Sequence, residues 1–299
     1  MRLAFLVPPG RGPGTRYAHG LAAALRKAGH EVQVGDDAPP GAIPVLDGAL
    51  LPRPVPTGAI ALLHRAPDGD WHPEAFARLV ATSPAVLERL GDAVGRAAVV
   101  TPGFPSLPRS SGSGDPCCAI LVVGAITARK NHETLLRALA RLLDLDWTLT
   151  VAGGTAPAPE HVAILDQLAQ ETGTAQRLRF VPDPDDAALD ALWRGADLFA
   201  SATQWEGYSA ALAEALRRGV PAAVSEAAVK ALPGVPAVER WGVACPADDV
   251  DGLGKAMRRL IYDRDLRAAL ADGAWDAGQA LPGWDEQARR FVAAVEGVG

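Results

Sequence analysis

Two glutamates, Glu206 and Glu214, stand eight positions apart in the stretch WEGYSAALAEALRRGVPAAVS that covers residues 205–225. An ionised carboxylate only accepts hydrogen bonds, so such a pair serves hydroxyl groups or a developing positive charge. Between them Ser209 offers a hydroxyl suited to capping a helix start. Leu212, Ala213 and Leu216 follow at helical spacing, and Gly219 stands where a helix-ending glycine belongs. Residues 221–225 then read as a short buried strand. A helix start set between two strands is a natural seat for phosphate. A sugar joined to a diphosphate presents hydroxyls, phosphates and a centre able to become cationic, all in one ligand.

These side chains need a sheet to gather them. Residues 3–7 form an apolar run ending at Pro8, followed by PPGRGPG, an amphipathic helix over 16–28, a Gly29-His30 turn and a strand over 31–34. Strand, glycine loop, helix, strand is how a parallel α/β sheet begins. Strands are expected over 44–46, 59–63 (with His64 at its end) and 97–101, and short helices over 71–79 and 85–90. Residues 105–116, PSLPRSSGSGDP, carry the composition of a linker. Beyond them strands are expected over 119–123, 148–152, 178–181, 198–201, 221–225 and 242–245, with helices over 131–143, 161–170, 187–193, 249–262 and 285–295. The domains are therefore expected over 1–108 and 117–282, joined by a linker over 109–116. A C-terminal helix over 283–299 can pack back on the first domain. In a parallel sheet the ligand sits at the carboxyl ends of the strands. Lys130, Gly153, Pro182 and Glu206 each follow a predicted strand, so four separate places converge on one rim.

Composition narrows the classes. In 299 residues, 48% are hydrophobic and 21% charged, the balance of a globular protein rather than a disordered one. A net charge of −6 argues against a broad nucleic-acid surface. Three cysteines, Cys117, Cys118 and Cys245, make neither a disulfide framework nor a metal spacing, and read as reduced thiols of a cytoplasmic protein. The apolar run after Met1 is short for a secretion signal, and no stretch approaches the ~20 apolar residues of a membrane helix.

The segments VVGAITARKNHETLLRALARL and EGYSAALAEALRRGVPAA resemble the donor-domain motifs of retaining glycosyltransferases of family 4. The second matches their E-x7-E pattern with Glu206 and Glu214 in register. In the first half PPGRGPGTRYAHGLAAALRKAGHEVQV, ALLHRAP and VVTPGFP resemble the family's opening glycine loop, its strand ending in histidine and its P-x-G turn. The resemblance implies a GT-B fold: two Rossmann-like parallel-sheet domains of the α/β class, facing across a cleft. It implies a hexosyltransferase that moves a sugar from a nucleotide-sugar donor to a hydroxyl of a small molecule or glycan, with retention and without a metal or other cofactor. By position, Glu214 would bind ribose hydroxyls and Glu206 a hydroxyl of the sugar. Lys130, with the N–H groups of Tyr208, Ser209 and Ala210, would stabilise the leaving diphosphate, and Gly207 would belong to the donor site. Gly12 and Gly14 would approach the phosphates from the first domain, Gly153 and Val181 would line the nucleotide, and His64 would touch sugar or acceptor. Ala125 stands where the family has an arginine, which makes Arg129 the candidate replacement, with Arg11 and Arg16 behind it. The first domain is shorter than the family's usual one. The competing readings are a nucleotide-sugar-binding partner subunit without turnover and a nucleotide-sugar epimerase of related fold.

Overall fold

Short apolar runs of this chain become strands, and the amphipathic stretches between them become helices. The structure, a computed structural model, describes residues 1–297 except 11, 52–53, 66, 68–70, 115 and 155–157, and only the backbone of Pro13. The chain divides into two compact units, one of residues 1–105 with 282–299 and the other of residues 106–281.

In the first unit the chain runs through β1 (Arg2–Leu6), α1 (Pro13–Lys27), β2 (Glu31–Gly35), β3 (Ile43–Asp47), β4 (Ile60–Leu63), β5 (Arg78–Ala81), α2 (Pro84–Leu87) and β6 (Ala97–Val99). The strands lie in the order β2-β1-β3-β4-β5-β6, every pair parallel. Successive side chains of a strand point to opposite faces. Leu3, Phe5, Val45, Ile60 and Leu62 therefore fill one core, while Leu6, Leu46, Ala61, Leu63 and Leu79 fill the other. Residues 71–79, expected as a helix, instead form a 3-10 turn at Pro73–Ala75 and then enter β5. Leu79, Val80 and Ala81 are all buried between β4 and β6, so both faces of this stretch are apolar, as a central parallel strand requires.

The second unit contains β7 (Cys118–Val123), α3 (His132–Leu139), β8 (Trp147–Gly153), α4 (Pro159–Glu171), β9 (Leu178–Pro182), α5 (Asp186–Arg194), β10 (Leu198–Ser201) and α6 (Ala210–Arg217). It continues through β11 (Ala222–Ser225), α7 (Glu226–Lys230), β12 (Gly242–Cys245), α8 (Val250–Tyr262) and α9 (Arg264–Gln279). Its parallel strands lie in the order β12-β11-β10-β7-β8-β9. The chain thus builds outward from β7 to β9, then returns to lay β10 on the other side of β7. α3 stops at Leu139 and tightens into a 3-10 turn, four residues short of its expected end. α7 and α9 have no counterpart in the sequence reading. α9 buries Leu270 but otherwise small residues, Ala274, Ala277 and Gly278. A Cβ on Gly278 would lie 2.3 Å from the Leu216 carbonyl oxygen, so α9 meets α6 backbone to backbone and needs no bulky apolar stripe.

Ser110 and Ser111 lie along the second unit: their hydroxyls both donate to the Arg194 carbonyl, at 2.9 and 3.2 Å. The chain then returns to the first unit as α10 (Trp284–Val295), whose Phe291 and Val295 are fully buried in the α1 core. A Cβ on Gly20 would lie 2.4 Å from the Trp284 ring, so that glycine lets α10 seat on α1.

Candidate active site

β7 and β10 flank the point where the strand order of the second unit reverses, so the loops 124–131 and 202–209 open at one carboxyl edge. Gly124 starts the first loop at φ +148°, and a Cβ there would meet the Lys130 ammonium at 3.1 Å. A Cβ on Gly153 would lie 2.0 Å from the Gly124 carbonyl oxygen, so both glycines are needed for β8 to end beneath this loop. The Gly124 N–H donates to Ala152 and the Ile126 N–H to Gly154, each at 2.9 Å. The second loop is tied on by the Gln204 N–H, which donates to the Arg129 carbonyl at 2.9 Å. Asn131, left-handed at φ +54°, donates to the Ala247 carbonyl and Asp248 Oδ1, fastening the loop after β12.

These ties converge on Glu206. The Lys130 ammonium donates to its Oε1, and Arg129 lies 3.1 Å from its Oε2. Arg129 also donates to the Trp205 carbonyl and sits 5.9 Å from the Trp205 ring centre. The Lys130 and Glu206 side chains are only 16% and 12% exposed, against 44% for Arg129, so the first two are held while the third reaches solvent. Two cations against one carboxylate leave a positive surplus at a strand-end loop, the charge a phosphate ligand requires. Ala125 brings no charge, and Arg129 is the second cation of the cluster.

The start of α6 differs from expectation. Ser209 does not cap the helix: its hydroxyl donates to the Ala228 carbonyl at 2.7 Å, and its N–H to the Ala231 carbonyl at 3.2 Å. The Ala210 N–H is likewise taken, by the Tyr208 carbonyl at 2.9 Å. The 225–232 segment supplies both acceptors of Ser209 and Tyr208 supplies that of Ala210, so neither amide is available to a diphosphate. An α-helix leaves its first N–H groups without intrahelical acceptors, and at the start of α6 the next such groups are those of Ala211 and Leu212. Gly207 is buried ahead of the helix. Burial pushes the Tyr208 hydroxyl well above its ordinary range, keeping the phenol neutral. Glu214 faces Arg218 one turn on, at 3.3 Å, and Arg218 in turn lies 2.8 Å from Asp190 Oδ1. Arg218, not among the expected site residues, holds the Asp190 carboxyl below its usual range. Val181 lies on β9 opposite Ala152, and Gly153 ends β8.

In the first unit Gly12 caps α1, its carbonyl accepting the Arg16 N–H, and Gly14 is in the first turn. Arg16 is exposed on α1, and Arg11 lies outside the described residues. His64 follows β4, with its Nε2 3.3 Å from Asp47 Oδ2. Asp47 is not among the expected site residues, although it closes the apolar run IPVLD as His64 closes IALLH.

A buried pair lies beneath the Lys130 loop. His132 begins α3 at 3% exposure, neither ring nitrogen has a hydrogen-bond partner, and His161 is buried on α4. Burial, helped by the Lys130 and His161 charges, pushes His132 down to about 3 from 6.5. The fold therefore keeps His132 neutral while the unfolded chain protonates it below about pH 6.5. Its contribution is fully present above that pH and is lost as pH falls toward 3. The expected loss is ~1.4 kcal/mol per pH unit, or about 2 kcal/mol between pH 6.5 and 5. Denaturant unfolding at pH 7 and 5 checks this: the slope should flatten in His132→Gln.

Among the described residues no three His, Cys, Asp or Glu side chains gather as a metal site, and no helix is long and apolar enough to cross a membrane.

The family model Glycosyl transferases group 1 matches residues 107–275. The chain belongs to that family. The match covers the second unit of this group 1 glycosyltransferase chain almost completely and leaves the first outside. The D-inositol 3-phosphate glycosyltransferase of Xylanimonas cellulosilytica is 32% identical over 173 residues, 58% of this chain and 40% of the relative. The lipopolysaccharide core biosynthesis mannosyltransferase LpsB of Rhizobium meliloti is 27% identical over 176 residues, 58% of this chain and 49% of the relative. The chain thus spans less than half the length of these curated relatives. Sucrose-phosphate synthase of Thermosynechococcus elongatus has the same fold at a TM-score of 0.79 and 18% identity, covering 98% of this chain and 97% of that one. The fold is GT-B, an α/β fold with two six-stranded parallel sheets.

Proposed function

We propose that the chain transfers a sugar from a nucleotide-diphosphate donor to a hydroxyl-bearing acceptor with retention of anomeric configuration, using no metal or other cofactor. The observation that carries this reading is the Lys130–Glu206–Arg129 cluster at the switch point of the second sheet. In this reading the diphosphate takes Lys130 and Arg129 as its counter-charges, and Glu206, freed from them, accepts a hydroxyl of the sugar. Charge gathers on the diphosphate as the glycosidic bond breaks, and fixed cations there lower the barrier. Glu214 accepts the ribose hydroxyls. A sugar-nucleotide ligand also suits one structural neighbour: Anabaena HepE, 14% identical at a TM-score of 0.78, has been solved with UDP and glucose, and again with UDP-glucose.

Glu214→Ala is expected to weaken donor binding about 10- to 150-fold with less change in turnover, since charge-assisted hydrogen bonds of ~1.5–3 kcal/mol are lost equally from ground and transition states. Arg218 retains Asp190 as its partner in that variant. Titration calorimetry with the nucleoside diphosphate reads it. The reaction itself is checked by incubating the protein with UDP-glucose, UDP-N-acetylglucosamine and GDP-mannose and following the anomeric proton of the released or transferred sugar by NMR. Retention is the expected result, and inversion would overturn the stereochemical part. Tight donor binding with neither hydrolysis nor transfer would favour the partner-subunit reading.

A further inference from the structure

In the first unit the strand order reverses between β1 and β3, the place where an open parallel sheet receives ligands. Asp47 ends β3 at that point and is 2% exposed. Its Oδ1 accepts the Ala49 N–H at 2.8 Å. Its Oδ2 faces only His64 Nε2, 3.3 Å away, and neither atom has a hydrogen-bond partner elsewhere among the described residues. The backbone of Gly14 lies against the pair: a Cβ there would fall 2.1 Å from Asp47 Oδ2 and 3.0 Å from His64 Cδ2. Tyr17 fixes the imidazole from the side, edge-on with ring centres 5.3 Å apart, and its own hydroxyl donates to the Val100 carbonyl at 2.9 Å. The contact is thus enclosed by a glycine, an anchored aromatic ring and a capping turn, while the His64 side chain keeps 21% of its surface exposed.

We propose that Asp47 is a positioning residue: its buried carboxylate holds His64 with hydrogen on Nε2, so that Nδ1 is presented as an acceptor for a hydroxyl of a saccharide or polyol substrate. This rests on the glycosyltransferase reading for the substrate, but not for the tautomer. An ionised carboxylate has no hydrogen to give, so the facing Nε2 must carry it, and in neutral imidazole Nδ1 is then the lone pair. Contacts of this kind are often long without substrate and tighten when it binds. Any role for Asp47 confined to folding would leave the ring free to hold either tautomer.

Asp47→Asn separates the two. Ala49 N–H needs an oxygen, so the amide carbonyl takes the Oδ1 place and the NH2 turns to His64 Nε2. His64 must then accept at Nε2 and carry hydrogen on Nδ1, turning the acceptor at Nδ1 into a donor. The chain has six histidines, few enough for long-range 15N–1H spectra, with His64 assigned by its loss in His64→Gln. With the imidazole neutral, wild-type His64 should show a bare Nδ1 and a protonated Nε2, and Asp47→Asn should reverse them. Hydrolysis and transfer from the donor sugars named above should fall roughly 10- to 100-fold in that variant. Loss in transfer alone assigns the hydroxyl to the acceptor, and equal loss in both assigns it to the donor sugar. Hydrogen on Nδ1 in the wild type, even if the variant fails to fold, overturns the inference, as does full activity in a tautomer-reversed variant. If none of these donors binds, the enzymatic reading falls while the spectra still decide the role of Asp47.

Discussion

Lys130→Ala is expected to lower turnover about 10²–10³-fold while weakening nucleotide binding far less. Loss of one fixed group that stabilises developing charge has that magnitude. Lys130 meets the conditions for it. Its ammonium is mostly shielded, Gly124 leaves it room, and its loop is tied to those after β8, β10 and β12, so little reorganisation is needed as charge appears. The variant also leaves Glu206 with Arg129 alone, so the carboxylate remains partnered and the fold should hold. Turnover equal to wild type would make Lys130 a structural counter-ion of Glu206 and nothing more.

The second large effect concerns the arginine at the neighbouring position. Arg129→Ala should reduce turnover about 10- to 100-fold, less than Lys130→Ala because a side chain 44% exposed is partly screened by water. Ala125→Arg in that background should restore part of the loss, since residue 125 lies in the same loop. Steady-state rates of the two variants and the double variant decide it. A silent Arg129→Ala together with a faster Ala125→Arg would mean that Arg129 serves Glu206 and Trp205 rather than the phosphates.

Much of this arrangement is legible in the sequence because parallel strands announce themselves as apolar runs that stop at a functional residue. Lys130 and Glu206 follow such runs, and the structure brings them into contact. Failures arise where tertiary partners replace local signals. Ser209 reads as a cap from its place before α6, yet the neighbouring 225–232 segment supplies carbonyls that claim both its hydroxyl and its amide. Residues 71–79 hold scattered apolar positions with no clear period, and only burial between β4 and β6 decides for a strand. α9 escapes notice because glycine and alanine, rather than a bulky stripe, make its contact with α6. Asp47 escapes because one carboxylate after a strand is unremarkable until His64 and Gly14 are seen to enclose it.

The central claim, that the Lys130–Glu206 edge and α6 receive a nucleoside diphosphate, is tested most directly by thermal unfolding with UDP, GDP, ADP and TDP in turn. One of the four should raise the melting temperature of the wild type, by the equivalent of ~2.7 kcal/mol at a hundred times its dissociation constant. The shift should shrink in Glu214→Ala at the same concentration. No shift with any of the four, or one undiminished in Glu214→Ala, would contradict the account.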